Sequence, residues 1–62
     1  MNNVLRKAIR QLANLIVCHS TEEKVVADNA AIIRAIDRGV IYDTETLIEM
    51  LNLVTSDFEN HL

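Results

Sequence analysis

Apolar residues recur along the first third of the chain at the spacing of one helix face. From Val4 onward they fall at Leu5, Ala8, Ile9, Leu12, Leu15 and Ile16. Repeated separations of three and four residues are typical of an amphipathic α-helix, in which one turn takes about 3.6 residues. Polar residues fall between the apolar ones, so the sequence predicts a first helix over residues 4–18.

A second helix is predicted over residues 21–38. Its apolar row consists of Val25, Val26, Ile32, Ile33 and Ile36. Ser20 and Glu23 have the spacing of a capping box, in which the serine side chain accepts from the amide of Glu23 and the glutamate reaches back. Gly39 follows the row at the point where a left-handed residue commonly ends a helix. Local chemistry therefore predicts both boundaries of this helix.

A third helix is predicted over residues 44–57. Asp43 is placed to cap its first turn, and Tyr42 and Leu47 have the spacing of a hydrophobic staple across that cap. The inward row consists of Leu47, Leu51, Val54 and Phe58. Residues 55–57 are weak helix formers. The sequence therefore leaves two alternatives: the helix breaks there and Ser56 caps a last turn, or residues 56–62 continue the helix.

These elements predict an all-α fold, with residues 1–62 forming a single small helical domain. Its three short amphipathic helices would form a helical hairpin plus a third helix. A chain of 62 residues has a core near the lower limit for independent stability. Half of the residues are apolar, and the single cysteine cannot form an internal disulfide. We expect a homodimer or a higher oligomer to cover apolar surface that one copy leaves exposed.

The predicted oligomer or partner interface takes the apolar rows of all three helices and a strip of alanines. Its members are Leu5, Ile9, Leu12, Ile16, Ala27, Ala31, Ala35, Ile32, Ile36, Leu51, Val54 and Phe58. The alanines lie four residues apart, and small side chains let a second helix approach closely. Helix propensity alone is the other explanation of the strip. Asn29 falls inside the apolar row, either buried, where it could set helix register, or at the rim, which is the preferred interpretation.

Charge is distributed unevenly along the chain. The net charge is −3, and all nine acidic residues lie at or beyond Glu22. The charged residues before that point are Arg6, Lys7 and Arg10, which form a predicted basic patch on the first helix. Such a patch can orient the helix against an acidic partner, in its own chain or in another protein. It can also hold the helix on an anionic surface or be a solvated face.

The segment around Gly39 has some features of a DNA-reading helix-turn-helix. Ala35, Gly39 and Val40 are placed as in that motif, but Glu45 stands where an apolar side chain should pack between the helices. The helix beyond the turn contains no lysine or arginine, whereas affinity for DNA depends on cations against phosphates. We interpret the turn as a helix corner and do not expect nucleic acid as a partner.

Candidate chemistry is sparse. Cys18 and His19 are adjacent, but neighbouring side chains on a helix point about 100° apart, so we expect no catalytic pair. A metal site shared by His19 and His61 would require an approach that no spacing indicates. A single glycine cannot form a glycine-rich phosphate loop. We therefore predict no enzymatic activity, no metal and no cofactor.

The expected location is cytoplasmic. A lone cysteine without a disulfide framework favours a reducing compartment. The N-terminal segment has a basic start and an apolar stretch, but Asn14 interrupts it, and Val17 precedes the cysteine where an export signal needs a small residue. No run approaches the ~20 apolar residues of a membrane span, so we do not expect a membrane partner.

These features favour a small intracellular, non-enzymatic helical binding protein. It would act as a regulator or adaptor through protein–protein contacts, as a homo-oligomer. The alternative is a dimeric DNA-binding transcriptional regulator that uses the basic patch of the first helix. A third reading is a peripheral membrane protein led by the same helix. The sequence does not indicate the partner, the pathway or the symmetry of the oligomer.

Overall fold

Three α-helices make up most of the described chain. The computed structural model describes residues 3–40 and 42–61, and within these ranges it contains no strand. The helices are α1 (Asn3–His19), α2 (Glu23–Asp37) and α3 (Thr44–His61). The predicted all-α class and the three predicted helices are confirmed.

Helix α1 lies in the middle of the fold. It packs against both α2 and α3, whereas α2 and α3 make little contact with each other. Three core residues come from α1 and three from the other helices: Ile9, Ala13, Ile16, Val25, Leu47 and Val54. Half-buried Leu5 and Leu12 widen the apolar row of α1 on one side. This width allows α1 to pack against both α2 and α3.

The connection from α1 to α2 differs from the predicted capping box. Helix α2 begins at Glu23, and Glu22 is its N-cap without a side-chain hydrogen bond. The Ser20 Oγ accepts from the Glu22 N–H (3.2 Å) and not from that of Glu23. The Ser20 N–H donates to the Ile16 carbonyl (2.8 Å), so Ser20 still belongs to the last turn of α1. The capping-box prediction is wrong because Ser20 closes α1 and does not start α2.

The C-terminus of α2 is closed by the predicted glycine. Gly39 has a φ of +75°, in the left-handed region that favours glycine. Its N–H donates to the Ile36 carbonyl (3.0 Å), and the Val40 N–H donates to the Ala35 carbonyl (3.2 Å). This is the Schellman arrangement, which satisfies carbonyl groups at a helix end. The chain can therefore reverse within a few residues and enter α3.

Asp43 caps α3 as predicted. Its Oδ1 accepts from the Thr46 N–H (2.8 Å), and its carbonyl accepts from the Leu47 N–H (3.1 Å). Hydrogen bonds from the side chain and the backbone of Thr46 lower the pKa of the Asp43 carboxyl below its ordinary value. Tyr42 packs against the core that includes Leu47, in agreement with the predicted hydrophobic staple.

Helix α3 continues beyond its predicted end. Residues 55–57 remain helical, and the helix ends at His61, so of the two alternatives the helix continues and Ser56 does not cap a last turn. Val54 is fully buried just before this run, and Asp57 Oδ2 accepts from Asn29 Nδ2 of α2 (3.0 Å). These tertiary contacts outweigh differences in helix propensity of at most about 0.7 kcal/mol per residue.

The total surface of one copy is that of an ordinary small protein. One copy exposes 4250 Å², and a compact monomer of 7.0 kDa exposes about 4000 Å² by the usual scaling of area with mass. The exposed area alone therefore gives no reason for self-association. Such a reason has to come from the position of the exposed apolar side chains.

We predict that Asp43 and Ser20 contribute unequally to stability. Asp43→Ala removes the acceptor for the Thr46 N–H and should lower the melting temperature by several degrees, as loss of an N-cap does in a domain of this size. Ser20→Ala should leave the melting temperature nearly unchanged, because this hydroxyl bonds to an amide that precedes α2. Asp43→Asn is the control, since asparagine is also a good N-cap.

Thermal unfolding followed by circular dichroism measures these differences. Equal losses of melting temperature for Ser20→Ala and Asp43→Ala would contradict the start of α2 at Glu23, because Ser20 would then be acting as a helix cap.

Candidate interaction surface

Two of the three residues in the predicted basic patch bind the end of α2. Arg6 donates to the Val40 carbonyl from Nη1 (2.7 Å) and to the Ile36 carbonyl from Nη2 (3.3 Å). Arg10 makes a two-point contact with Asp37, from Nε to Oδ1 (2.6 Å) and from Nη2 to Oδ2 (3.0 Å). A helix C-terminus carries a negative partial charge, so both cations are favourably placed.

This arrangement engages Arg6 and Arg10 within their own chain. Hydrogen bonds from Arg10 hold the pKa of the Asp37 carboxyl below its ordinary value. The two side chains are 42% and 50% exposed, so their contribution to stability is modest. Lys7 is exposed and has no salt bridge within the described residues. The basic patch was considered as a contact for an acidic partner in its own chain or in another protein. For Arg10, that partner is Asp37 of the same chain.

Asn29 is buried, so its predicted position at the rim is wrong. Its relative exposure is 0%. Nδ2 donates to the Val25 carbonyl (2.8 Å) and to Asp57 Oδ2 (3.0 Å), but no donor among the described residues reaches Oδ1. The Asp57 contact joins α2 to α3, two helices that otherwise touch little. The link fixes how these two helices meet. It also leaves the Asn29 Oδ1 buried without a donor, which lowers the stability of the fold.

The residues predicted at an oligomer or partner interface fall into three groups. Those fully buried in the core of one copy, out of reach of a partner, are Ile9, Ile16 and Val54. Those half-buried against this core are Leu5, Leu12, Ile32, Ile36 and Leu51. The exposed ones are Ala27, Ala31 and Phe58. The remaining alanine of the strip, Ala35, is half-buried. Packing within one copy therefore uses most of the predicted interface.

The exposed large apolar side chains indicate a different surface. Successive residues on a helix are about 100° apart around its axis. One contact of a known residue therefore shows which way every side of the helix faces. Arg10 marks the side of α1 that faces α2, and Asp57 marks the side of α3 that faces α2. The sides of α1 and α3 turned away from these marks adjoin each other, on the surface opposite α2.

We call this surface the outer face of the α1–α3 pair. It consists of Val4, Ala8, Leu12, Leu15, Ile48, Leu51, Thr55 and Phe58. Four of these are exposed large apolar side chains: Val4 (84%), Ile48 (47%), Leu15 (44%) and Phe58 (37%). Leu12 and Leu51 are half-buried in the seam between the helices. Leu53 is 52% exposed but lies on the other flank of α3.

Sequence reasoning missed five of the eight residues of the outer face. Val4, Ala8 and Leu15 were noted as apolar but were not among the predicted interface residues, and Ile48 and Thr55 were not among them either. A signal for the residues on α1 was present, because Val4 and Leu15 lie about 140° and 120° around the helix from Ile9. An apolar row of that width exceeds what packing on a single neighbour needs.

The polar and reactive residues do not assemble into a chemical centre within the described chain. Cys18 and His19 are both exposed. The His61 Nδ1 lies 4.0 Å from Glu22 Oε2, which brings the end of α3 to the start of α2. Among residues 3–40 and 42–61, no three His, Cys, Asp or Glu side chains are grouped to hold a metal ion. None of the described helices combines the length and apolar character needed to cross a membrane.

Asn29→Asp should be strongly destabilising at neutral pH. The substitution keeps the shape of the side chain but places a carboxylate against Asp57, where the present amide lies 3.0 Å away. A buried, unpaired charge is costly, and we expect the free energy of unfolding to fall by about 3 kcal/mol. Asn52→Asp is the matched control, because Asn52 is exposed on α3 and should tolerate the same change.

Urea unfolding of the two variants and the wild type provides the comparison. If Asn29→Asp were as stable as Asn52→Asp, residue 29 would have to be open to solvent, and the polar link between α2 and α3 would be wrong.

Comparison with known proteins identifies no family. No protein-family model, curated protein sequence or solved structure matches the chain. The contacts and exposures of its own residues are therefore the basis for a proposed function, and the outer face is the foremost of these features.

Proposed function

We propose that this chain is a small, non-enzymatic helical binding protein of the cytoplasm. It acts as a regulator or adaptor through protein–protein contacts, as a homo-oligomer. The observation that carries the proposal is the outer face, where four large apolar side chains are exposed on one side of a 62-residue chain. Contiguous exposed apolar patches on small proteins typically mark contact surfaces for other proteins.

The outer face has a form that suits a helical partner. Helices α1 and α3 each run opposite to α2, so they are parallel to each other and leave a seam along their length. Leu12 and Leu51 are half-buried along this seam, and Leu15 and Ile48 rise on its two sides. A helix with apolar residues three and four positions apart can lie against such a surface. The expected ligands are therefore amphipathic helices, of a second copy or of another protein.

The alternative of DNA binding receives less support from the charges. Arg6 and Arg10 already donate to groups at the end of α2, which leaves Lys7 as the unpaired cation of the patch within the described residues. Exposed Glu45 and Glu49 lie on the helix that follows the glycine turn. A net charge of −3 per copy also opposes the approach of a polyanion.

Affinity capture from a lysate of the native cell tests the proposal. Leu15→Glu introduces a charge into the outer face, whereas Leu53→Glu introduces the same charge at an equally exposed leucine on the other flank of α3. We expect wild type and Leu53→Glu to capture the same protein, and Leu15→Glu to reduce its recovery at least tenfold, because a desolvated unpaired charge weakens an interface.

Circular dichroism first establishes that both variants are folded. Capture that Leu53→Glu reduces as strongly as Leu15→Glu would contradict a role for the outer face. A wild type that captures no protein and does not self-associate would contradict the proposed function itself.

For the alternative, we predict no duplex binding tighter than the weak non-specific range, about 10⁻⁴ M at physiological salt. Fluorescence anisotropy with labelled duplexes of native genomic sequence measures it. A sub-micromolar, sequence-dependent complex with a steep salt dependence, lost in Lys7→Ala, would favour the DNA-binding regulator instead. Lys7 is the informative position, because replacing Arg6 or Arg10 also disturbs the end of α2.

A further inference from the structure

Charged residues border the outer face differently on its two sides. The margin on α1 carries Lys7, whereas the margin on α3 carries Glu45, with Glu49 one turn further along and farther round the helix. All three are exposed, and none forms a salt bridge within the described residues. The outer face is therefore apolar in the middle, positive along one edge and negative along the other.

The heights of these charges along the helices follow from two contacts. Arg10 of α1 pairs with Asp37 of α2, and Asp57 of α3 bonds to Asn29, which precedes Asp37 by eight residues in α2. Because α3 runs opposite to α2, the residue of α3 level with Asp37 lies about eight places before Asp57. This residue is Glu49, which is therefore level with Arg10.

The positive and negative edges are charged at the same height. Lys7 lies about one turn before Arg10, so it is level with the turn of α3 between Glu45 and Glu49. Suppose that a second copy is rotated by 180° about an axis parallel to the helices. Its acidic edge then lies on the basic edge of the first copy, and its basic edge lies on the acidic edge of the first. Both contacts are formed at the same height. Rotating the second copy about an axis across the helices places acidic edge on acidic edge.

We propose that a second copy of this chain covers the outer face in the first of these two ways. In this dimer, α1 of each copy packs along α3 of the other, and the two helices run in the same direction. Lys7 lies beside Glu45 of the second copy, with Glu49 one turn further along, while Leu15 and Ile48 are enclosed in the middle. The inference rests on the proposed function, since it names the occupant of the face that this function uses.

The symmetry and the charges support the same arrangement. A two-fold dimer uses one patch on both copies, so the patch has to be complementary to itself. In the parallel arrangement, which rotation about the axis along the helices gives, two sets of opposite charges meet at the rim. In the crossed arrangement, which rotation about the axis across the helices gives, like charges meet. Helices α1 and α3 already pack in parallel within one copy, and the dimer repeats that contact between copies.

The dimensions of the molecule set the expected strength of this dimer. The chain measures 33 × 20 × 15 Å along its principal axes, which limits the contact to several hundred Å² per copy. Specific stable interfaces bury about 800 Å² per partner. The dimer therefore lies at the small end of specific interfaces, and we expect its Kd in the micromolar range.

Sedimentation equilibrium from about 1 µM to 1 mM tests the occupant of the face. The wild type should pass from monomer to dimer over this range. Leu15→Glu should remain monomeric, and Leu53→Glu should dimerise like the wild type. Circular dichroism establishes the fold of each variant, since both leucines are exposed in one copy.

Charge reversals test the orientation. In the proposed dimer, Glu45→Lys brings a cation against Lys7 of the second copy and should raise the Kd roughly tenfold. In the crossed dimer the same change relieves repulsion between acidic edges and should lower the Kd. Glu23→Lys, at an exposed position on α2, is the control for the change in net charge. The double variant Lys7→Glu with Glu45→Lys should restore association to within about threefold of the wild type.

Three results would overturn the inference, and they can be told apart. A wild type that stays monomeric to 1 mM, while Leu15→Glu still abolishes capture of another protein, removes the second copy as occupant and the homo-oligomer with it, but leaves the proposed binding of another protein standing. A dimer that Leu15→Glu does not weaken places the contact elsewhere. Tighter association of Glu45→Lys than of Glu23→Lys replaces the parallel arrangement by the crossed one.

Discussion

The fold depends on one helix packing against two others at once. Helix α1 supplies Ile9, Ala13 and Ile16 to the core, and two of its arginines hold the end of α2. Packing on both sides uses an apolar row that spans about 100° of the helix surface. The same row extends to Val4 and Leu15, which stay uncovered after both neighbours are in place. The exposed outer face thus includes apolar surface of α1 that the packing of one copy does not use.

The helices were predictable because their signals are local. Apolar periodicity identified all three helices. The confirmed boundaries are those that depend on a few neighbouring residues: the left-handed Gly39 ends α2, and the carboxylate of Asp43 caps α3. The boundaries that failed involve competition with other parts of the structure. Ser20 is needed to close α1 before it could start α2, and residues 55–57 are kept helical by contacts with the core and with α2.

The surface was less predictable, because an apolar row shows which side of a helix avoids water but not which neighbour covers it. Ile9, Ile16 and Val54 were therefore assigned to an interface and are core residues of a single copy. Arg6 and Arg10 formed a plausible free patch in sequence, and only the antiparallel packing of α1 and α2 brings the α2 end to them. The burial of Asn29 likewise depends on Asp57, which lies 28 residues away.

The short connections between helices have a kinetic consequence. Residues 20–22 and 38–43 connect the helices. The chain contains no proline, so refolding has no slow prolyl isomerisation. Helical folds dominated by local contacts form in microseconds to milliseconds. Two copies at about 1 µM, associating at a typical rate near 10⁶ M⁻¹s⁻¹, meet productively only about once per second. A newly made chain therefore completes its own fold long before it encounters any partner, and what docks is a preformed surface.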